Sequence, residues 1–264
     1  MKLRIAVVLA QVVLFGCGSG PDSGKIDREA ANADRDARLE VAQQGYFTDL
    51  EEFTGDVGVR EIATDLARLN GRYDQIITPH VELLKGARIA DFGSYDGRWA
   101  YAALDAGAAH VTGIEVDQSF NDKAQKNLEE LGVSSDRYTL IVADVLEELR
   151  KTEPGTYDGI ICAGLYYHIT YHVELMSELK RIGVKWIIMD SAVDSSEEPI
   201  IKWVESPYGV GIEGTPSVPA IEMIADAVGF EHERVPVTQK GNPGIWDYEF
   251  GNRVTITITA PEAL

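Results

Sequence analysis

The sequence predicts an α/β fold: a Rossmann-like, seven-stranded, mostly parallel sheet with helices on both faces and a C-terminal antiparallel β-hairpin. Three observations predict it. Short apolar runs alternate with helix-length stretches from Ile76 to Met189, the rhythm of parallel strands joined by crossover helices. Arg88 to Asp117, RIADFGSYDGRWAYAALDAGAAHVTGIEVD, reads as strand, glycine loop, helix and strand, with the loop opening onto a helix N-terminus. Two last apolar runs, His232 to Val237 and Arg253 to Thr259, are separated by a linker too short for a crossover helix, so they pair antiparallel.

In chain order, Met1 to Gly20 carries Lys2 and Arg4, an apolar run from Ile5 to Phe15, then Gly16 and Cys17. The run is too short to span a bilayer as a helix and has the shape of a secretory signal. Leu14-Phe15-Gly16-Cys17 resembles a bacterial lipobox, which implies lipidation at Cys17 and a membrane-associated protein. A buried element and a cytoplasmic protein are the alternative. The polar stretch Gly18 to Gly24 suits a tether, so residues 1–24 are read as signal and tether.

Residues 25–72 form an N-terminal helical extension, rich in Ala, Asp, Glu and Arg and without proline. Tyr46, Phe47 and Phe53 are core contacts or part of a lid. The main domain is 73–264. Its helices are expected at Ile76–Leu84, Gly97–Ala106, Gln118–Leu131, after Asp144, and at Tyr171–Ile182; Asp117 is a helix N-cap. Its strands are expected at Ile89–Asp91, His110–Val116, Tyr138–Val142, Gly159–Ala163 and Trp186–Met189. Asp190 to Ser217 reads as irregular, and Val218–Val228 as a helix with Gly229 as its cap.

The net charge of −19 in 264 residues disfavours a nucleic-acid partner, because an acidic surface repels phosphate backbones. Cys162, inside GIICAG, is expected to be buried and inert. No cysteine or histidine spacing indicates a metal.

The alternating units and terminal hairpin resemble the class I S-adenosylmethionine (SAM) dependent methyltransferases. Asp91-Phe92-Gly93-Ser94-Tyr95-Asp96-Gly97 matches their first motif, Glu115 the acid that holds the ribose hydroxyls, and Asp144-Val145 the adenine position. Gly164-Leu165-Tyr166-Tyr167-His168 is similar to the region facing the transferred methyl. The resemblance implies SAM as cofactor, held by Asp91, Gly93, Ser94, Gly97, Glu115, Asp144, Val145 and Gly164. A dinucleotide is the rival ligand, but its loop needs glycines where Tyr95 and Arg98 stand. Asp91 and Asp96 would also repel a pyrophosphate, whereas they attract a sulfonium and an ammonium.

Methyl transfer needs alignment and water exclusion more than acid–base machinery. His168 is the candidate base, histidine being the side chain that changes charge nearest neutrality; a histidine bonded to a loop carbonyl is the alternative. Tyr167 is a second candidate catalytic residue. Tyr166, Trp246 and Tyr248 are candidate acceptor contacts, with a packed hairpin as the other reading of Trp246, Tyr248 and Phe250. GLYYH, GSYDG and TPSVPAIEMIADAVGF are also similar to the wobble-uridine transfer-RNA branch of the superfamily. The expectation is a methyltransferase for a small acceptor. An RNA methyltransferase and a membrane-tethered binding protein without turnover are the rivals.

Overall fold

Local alternation is realised as a sheet in the computed structural model, which describes residues 23–54, 62–206 and 211–261. The expected signal, the lipobox and Cys17 lie outside the described residues. The chain divides into two units, residues 1–37 and 38–264. Helix α1 (Ser23–Ala42) begins in the first. Among the described residues no helix is long and apolar enough to cross a membrane.

In the second unit, α2 (Glu51–Thr54) and α3 (Ile62–Ile76) precede a 3-10 turn, Thr78–His80, and α4 (Val81–Leu84). The single helix expected over Ile76–Leu84 is broken because Pro79 has no amide hydrogen to continue the ladder. Phe47 and Phe53 are buried in contact with each other, and Phe47 also meets Tyr73 and Trp99 edge-on. They are core contacts.

The alternating region is β1 (Arg88–Phe92), α5 (Arg98–Asp105), β2 (His110–Glu115), α6 (Gln118–Glu130), β3 (Tyr138–Val142), α7 (Val145–Lys151), β4 (Gly159–Ala163), α8 (His172–Ile182) and β5 (Trp186–Ala192). After it come β6 (Ile201–Glu205), β7 (Ile212–Pro216), α9 (Val218–Val228), β8 (Glu231–Arg234), α10 (Trp246–Glu249) and β9 (Arg253–Thr259). The main sheet has seven strands in the order β3-β2-β1-β4-β5-β9-β8, with β9 antiparallel to both its neighbours. Successive strand residues point to opposite faces, so Ala90, Ile160 and Ile187 enter one apolar cluster and Ile89, Ile161 and Ile188 the other. Both faces are covered, which is why the strands read as unbroken apolar runs.

Two expectations need correction. The stretch after Asp190 holds an antiparallel hairpin of its own, β6 with β7. Its alternation is hidden because β6 has no buried residue and β7 carries Gly214 and Pro216, types depleted in strands. Trp246, Tyr248 and Phe250 do not alternate along a strand: Phe250 N donates to Trp246 O at 3.0 Å in a helical turn. Trp246 and Phe250 therefore lie side by side and exposed, while Tyr248 points inward.

At the end of β5, fully buried Asp190 ties four elements together. Its Oδ1 pairs with Arg72 of α3 and with Arg253 of β9 at 2.7 Å; its Oδ2 accepts from the hydroxyls of Tyr248 and, at 3.2 Å, Thr255. Asp247 joins Arg253 at 3.2 Å to Arg68, whose guanidinium it receives through two bonds of 3.0 and 2.8 Å.

Candidate cofactor and catalytic site

The glycine loop is shaped by what its neighbours leave out. Asp91 sits in β1, in register with Gly113 of β2. A Cβ at Gly113 would lie 2.8 Å from Ser94 Oγ, so the bare glycine is what lets the loop fold back over the sheet. Gly93 (φ 65°) and Gly97 (φ 84°) are left-handed; Gly97 is the N-cap of α5, where a Cβ would come within 3.2 Å of Ala124. Tyr95 holds φ 50° without being glycine, at a cost of about 1–2 kcal/mol. Its ring rests on Phe120 at 4.3 Å beneath the Arg98 guanidinium, and its amide donates to Glu115 Oε2 at 3.0 Å. The strained residue thus connects the loop to the acid that ends β2.

The carboxylates divide by what they already hold. Glu115 receives the Asp117 amide on its other oxygen at 3.1 Å, which fixes the orientation of the group. Asp117 caps α6 through Ser119 N at 2.7 Å, as its position predicts. Asp144 caps α7 through Glu147 N at 3.0 Å and accepts from the Tyr171 hydroxyl at 2.9 Å, a partnership the sequence did not suggest. Val145, beside it, is buried in the core. Asp96 is paired with Arg98, whose Nε lies 2.7 Å from its Oδ1, so part of its charge is met within the loop.

Asp91 is different. It is fully buried and neither carboxylate oxygen completes a hydrogen bond. Burial, and after it the charges of Glu115 and Asp96, push its carboxyl up to about 8 against a weaker pull from the Ala100 amide. Ser94 Oγ nearby is also unpartnered. Sequence reasoning missed a complementary donor, Arg72: its Nε is buried and unbonded, and a Cβ on Gly164 would meet its Nη2 at 3.6 Å. No local pattern marks Arg72, because its ion-pair partner is 118 residues away.

Past β4, Gly164 (φ 99°) donates its amide to Asp190 O at 2.8 Å. The 3-10 turn Tyr166–His168 follows. Tyr166 is buried with its hydroxyl unpartnered, and Tyr167 lies between the Arg253 guanidinium (5.4 Å) and the His168 ring (3.9 Å). His168 Nδ1 is 2.9 Å from Glu213 Oε1 of β7. A buried carboxylate is therefore one of its partners. His172 is buried at the start of α8, its Nε2 2.9 Å from Gly214 O. Cys162 is buried, and burial with the Asp91 and Asp190 charges pushes its thiol up to about 12, so it is inert.

Of the predicted residues, the fold gathers Asp91, Gly93, Ser94, Gly97, Glu115, Asp144 and Gly164 at the carboxyl edge of β1 to β4, where open α/β sheets bind ligands. It separates the predicted acceptor contacts: Trp246 is on the outer face of α10, and Tyr166 and Tyr248 are inside.

A seven-stranded sheet of this order is shared with solved SAM-dependent methyltransferases, so the chain has their fold. Residues 89–183 match the family model described as a methyltransferase domain. The chain is 28% identical over 162 residues to the tRNA U34 carboxymethyltransferase of Pseudomonas putida (strain W619), covering 60% of this chain and 49% of that protein. With the tRNA U34 carboxymethyltransferase of Helicobacter pylori (strain HPAG1) it shares 24% over 173 residues, 63% of this chain and 65% of the relative. The chain thus spans 49% of the length of the first relative and 65% of the second.

Two solved structures share the fold over nearly the whole chain. Magnesium protoporphyrin IX methyltransferase from Synechocystis PCC 6803 with bound SAM has a TM-score of 0.55 at 16% identity, over 93% of this chain and all of that one (100%). The 1,6-didemethyltoxoflavin-N1-methyltransferase of Burkholderia thailandensis has a TM-score of 0.54 at 15% identity, over 94% of each. The first of these neighbours was solved with bound SAM. The residues present fit it: a nucleoside ligand without phosphate and with an ammonium suits a buried, unpaired carboxylate, which a pyrophosphate does not.

Proposed function

We propose that this protein is a SAM-dependent methyltransferase whose acceptor is a small molecule rather than a nucleic acid. The observation that carries the reading is the buried Asp91 carboxyl, whose oxygens complete no hydrogen bond and which an ammonium would satisfy. Glu115, already oriented by two amides, would take the ribose hydroxyls, and Asp144 and Val145 would border the adenine. Arg72 Nε would donate to the ligand's carboxylate. When bound, SAM supplies an activated methyl on a sulfonium, so alignment supplies most of the acceleration. His168 takes the acceptor's proton, and Tyr167 packs against its ring. The net charge of −19 supports a small acceptor.

An RNA acceptor is the second reading, favoured by the curated relatives, which act on tRNA U34. Calorimetry with SAM and S-adenosylhomocysteine, followed by incubation of the protein with methyl-tritiated SAM in a cell extract, separates the readings. The expected result is that both nucleosides bind and that label enters the small-molecule fraction. Label recovered in the tRNA would transfer the proposal to RNA, and absence of binding by either nucleoside would sink both readings. Binding with no label in either fraction would mark a binding protein that keeps the fold without turnover. The reading includes a lipid anchor at Cys17. Radiolabelled palmitate is expected to enter the wild-type chain and not the Cys17→Ser variant; incorporation that survives the substitution would remove the anchor.

A further inference from the structure

The buried acid on β7 has no part in the scheme above. Glu213 is 4% exposed, on a hairpin outside the main sheet. A carboxylate taken out of water costs several kcal/mol unless donors surround it. Two donors meet the same oxygen, Oε1: the Ser206 hydroxyl from the end of β6, and His168 Nδ1 at 2.9 Å. Ser206 is itself buried and its amide donates to Gly211 O at 2.7 Å, so the hydroxyl that holds the carboxylate is held in turn.

The hairpin is seated so that Glu213 meets the turn after β4. Gly214, the next residue, accepts from the His172 ring at 2.9 Å. A Cβ on Gly214 would lie 2.8 Å from His172 Cε1 and 3.0 Å from Ile169 O, so β7 approaches the β4–α8 loop by backbone contact. Asp194 N donates to Pro216 O at 2.9 Å and ties the end of the hairpin back to the chain leaving β5. One strand therefore holds two histidines of the same loop in place: His172 through a backbone carbonyl, His168 through a carboxylate.

We infer that Ser206 and Glu213 form a positioning relay that keeps His168 in the Nδ1–H tautomer, so that its basic Nε2 takes the proton of an acceptor bearing O–H or N–H. The inference rests on the methyltransferase reading for its chemistry. Oε1 receives the Ser206 hydroxyl and offers its remaining lone pair to the ring, so Nδ1 carries the hydrogen and the ring's lone pair belongs to Nε2. An acceptor that is already anionic needs no such base, and an oriented one points to a neutral hydroxyl or amine. In the step, the acceptor's O–H or N–H bond breaks and its proton goes to Nε2. The freed electron pair forms the new bond to the methyl carbon. The carbon–sulfur pair returns to sulfur, leaving the neutral thioether S-adenosylhomocysteine, and the imidazolium, stabilised by Glu213, later releases its proton to solvent.

The test reads the ring directly. Long-range proton–nitrogen correlation spectra of the full chain labelled at histidine nitrogens, with His168→Gln for assignment, report which nitrogen carries hydrogen. The expected result is the Nδ1–H form in the wild type and its loss in Glu213→Ala; Ser206→Ala is expected to weaken it partially. A His168 ring in the Nε2–H form in the wild type, or one that Glu213→Ala leaves unchanged, overturns the relay. Glu213→Gln, which keeps the shape, guards against a folding defect, with S-adenosylhomocysteine binding expected to equal wild type. If the wild type binds no S-adenosylhomocysteine, the methyltransferase reading fails while the tautomer still decides the relay.

Discussion

Replacing Asp91 with asparagine is expected to raise the melting temperature of the free protein and, at the same time, to weaken S-adenosylhomocysteine by roughly 30- to 1,000-fold, about 2–4 kcal/mol. The opposed signs come from one group. In the free protein the carboxyl is buried, lacks a partner and is pushed up to about 8 from an ordinary 3.8. A raised folded pKa means the folded state holds its proton longer than the unfolded chain. The folded state therefore loses stability as pH climbs from about 4 to about 8, by a few kcal/mol in total for a buried group. Asparagine removes that loss, so the variant's advantage in thermal melts is expected to grow across this window and to vanish below pH 4.

Binding reverses the sign. An ammonium against Asp91 stabilises the ionised form, so near pH 7 the carboxyl must shed its proton as the ligand enters. Calorimetry in buffers of different ionisation enthalpy is expected to show release of about one proton per ligand, and none in Asp91→Asn. Affinity is expected to rise between pH 6 and 7.5 in the wild type only. 5′-Methylthioadenosine, which lacks the amino-acid end, is expected to bind wild type and variant alike. A variant that loses both ligands equally, or no change in proton release, would refute the assignment of Asp91 to the ammonium.

Asp190→Asn is expected to destabilise the protein by about 3–5 kcal/mol, the cost of taking the Asp190 charge from Arg72 and of leaving Arg253 with Asp247 alone. Arg72 and Arg253 both point at this fully buried carboxylate. Burial opposes its charge, but the two guanidiniums outweigh burial, and with the Tyr248 hydroxyl they hold the carboxyl down to about 2 from 3.8. A depressed folded pKa contributes stability that is present above about pH 4 and lost as pH falls through about 2. Wild type and variant are therefore expected to converge in stability on acidification, measured by urea unfolding between pH 7 and pH 2. A destabilisation that persists unchanged at pH 2 would mean that the site acts through packing and not through charge. Because Arg72 also lies against Gly164, the same network reaches the edge of the candidate site.

Much of this was legible locally. The parallel strands and most of their helices appear as apolar runs of strand length between amphipathic stretches, since strands buried on both faces need apolar side chains throughout. Glu115 and Asp144 could be placed at strand ends for the same reason: strand and loop boundaries are local. Asp117 could be named a cap from its position alone. The β6–β7 hairpin was not legible. Its strands have little buried surface to imprint a period, and glycine and proline in β7 argue against a strand. With it went Glu213, an acid whose sequence context says nothing of His168. Pro79 was a legible break that the helical period around it obscured.

What the sequence by itself determined is the fold class and the sheet edge at which the candidate site residues gather, both consequences of periodicity and of short motifs read within a few residues. Only the tertiary structure decided which acid stays unpaired. Asp91 and Asp96 look equivalent in the loop, yet Arg98 reaches one and burial isolates the other. Tertiary structure also joined Arg72 to Asp190 across 118 residues and Arg253 to it across 63, and set Glu213 against His168. Charge pairing depends on distances through space, and no period in the chain encodes those.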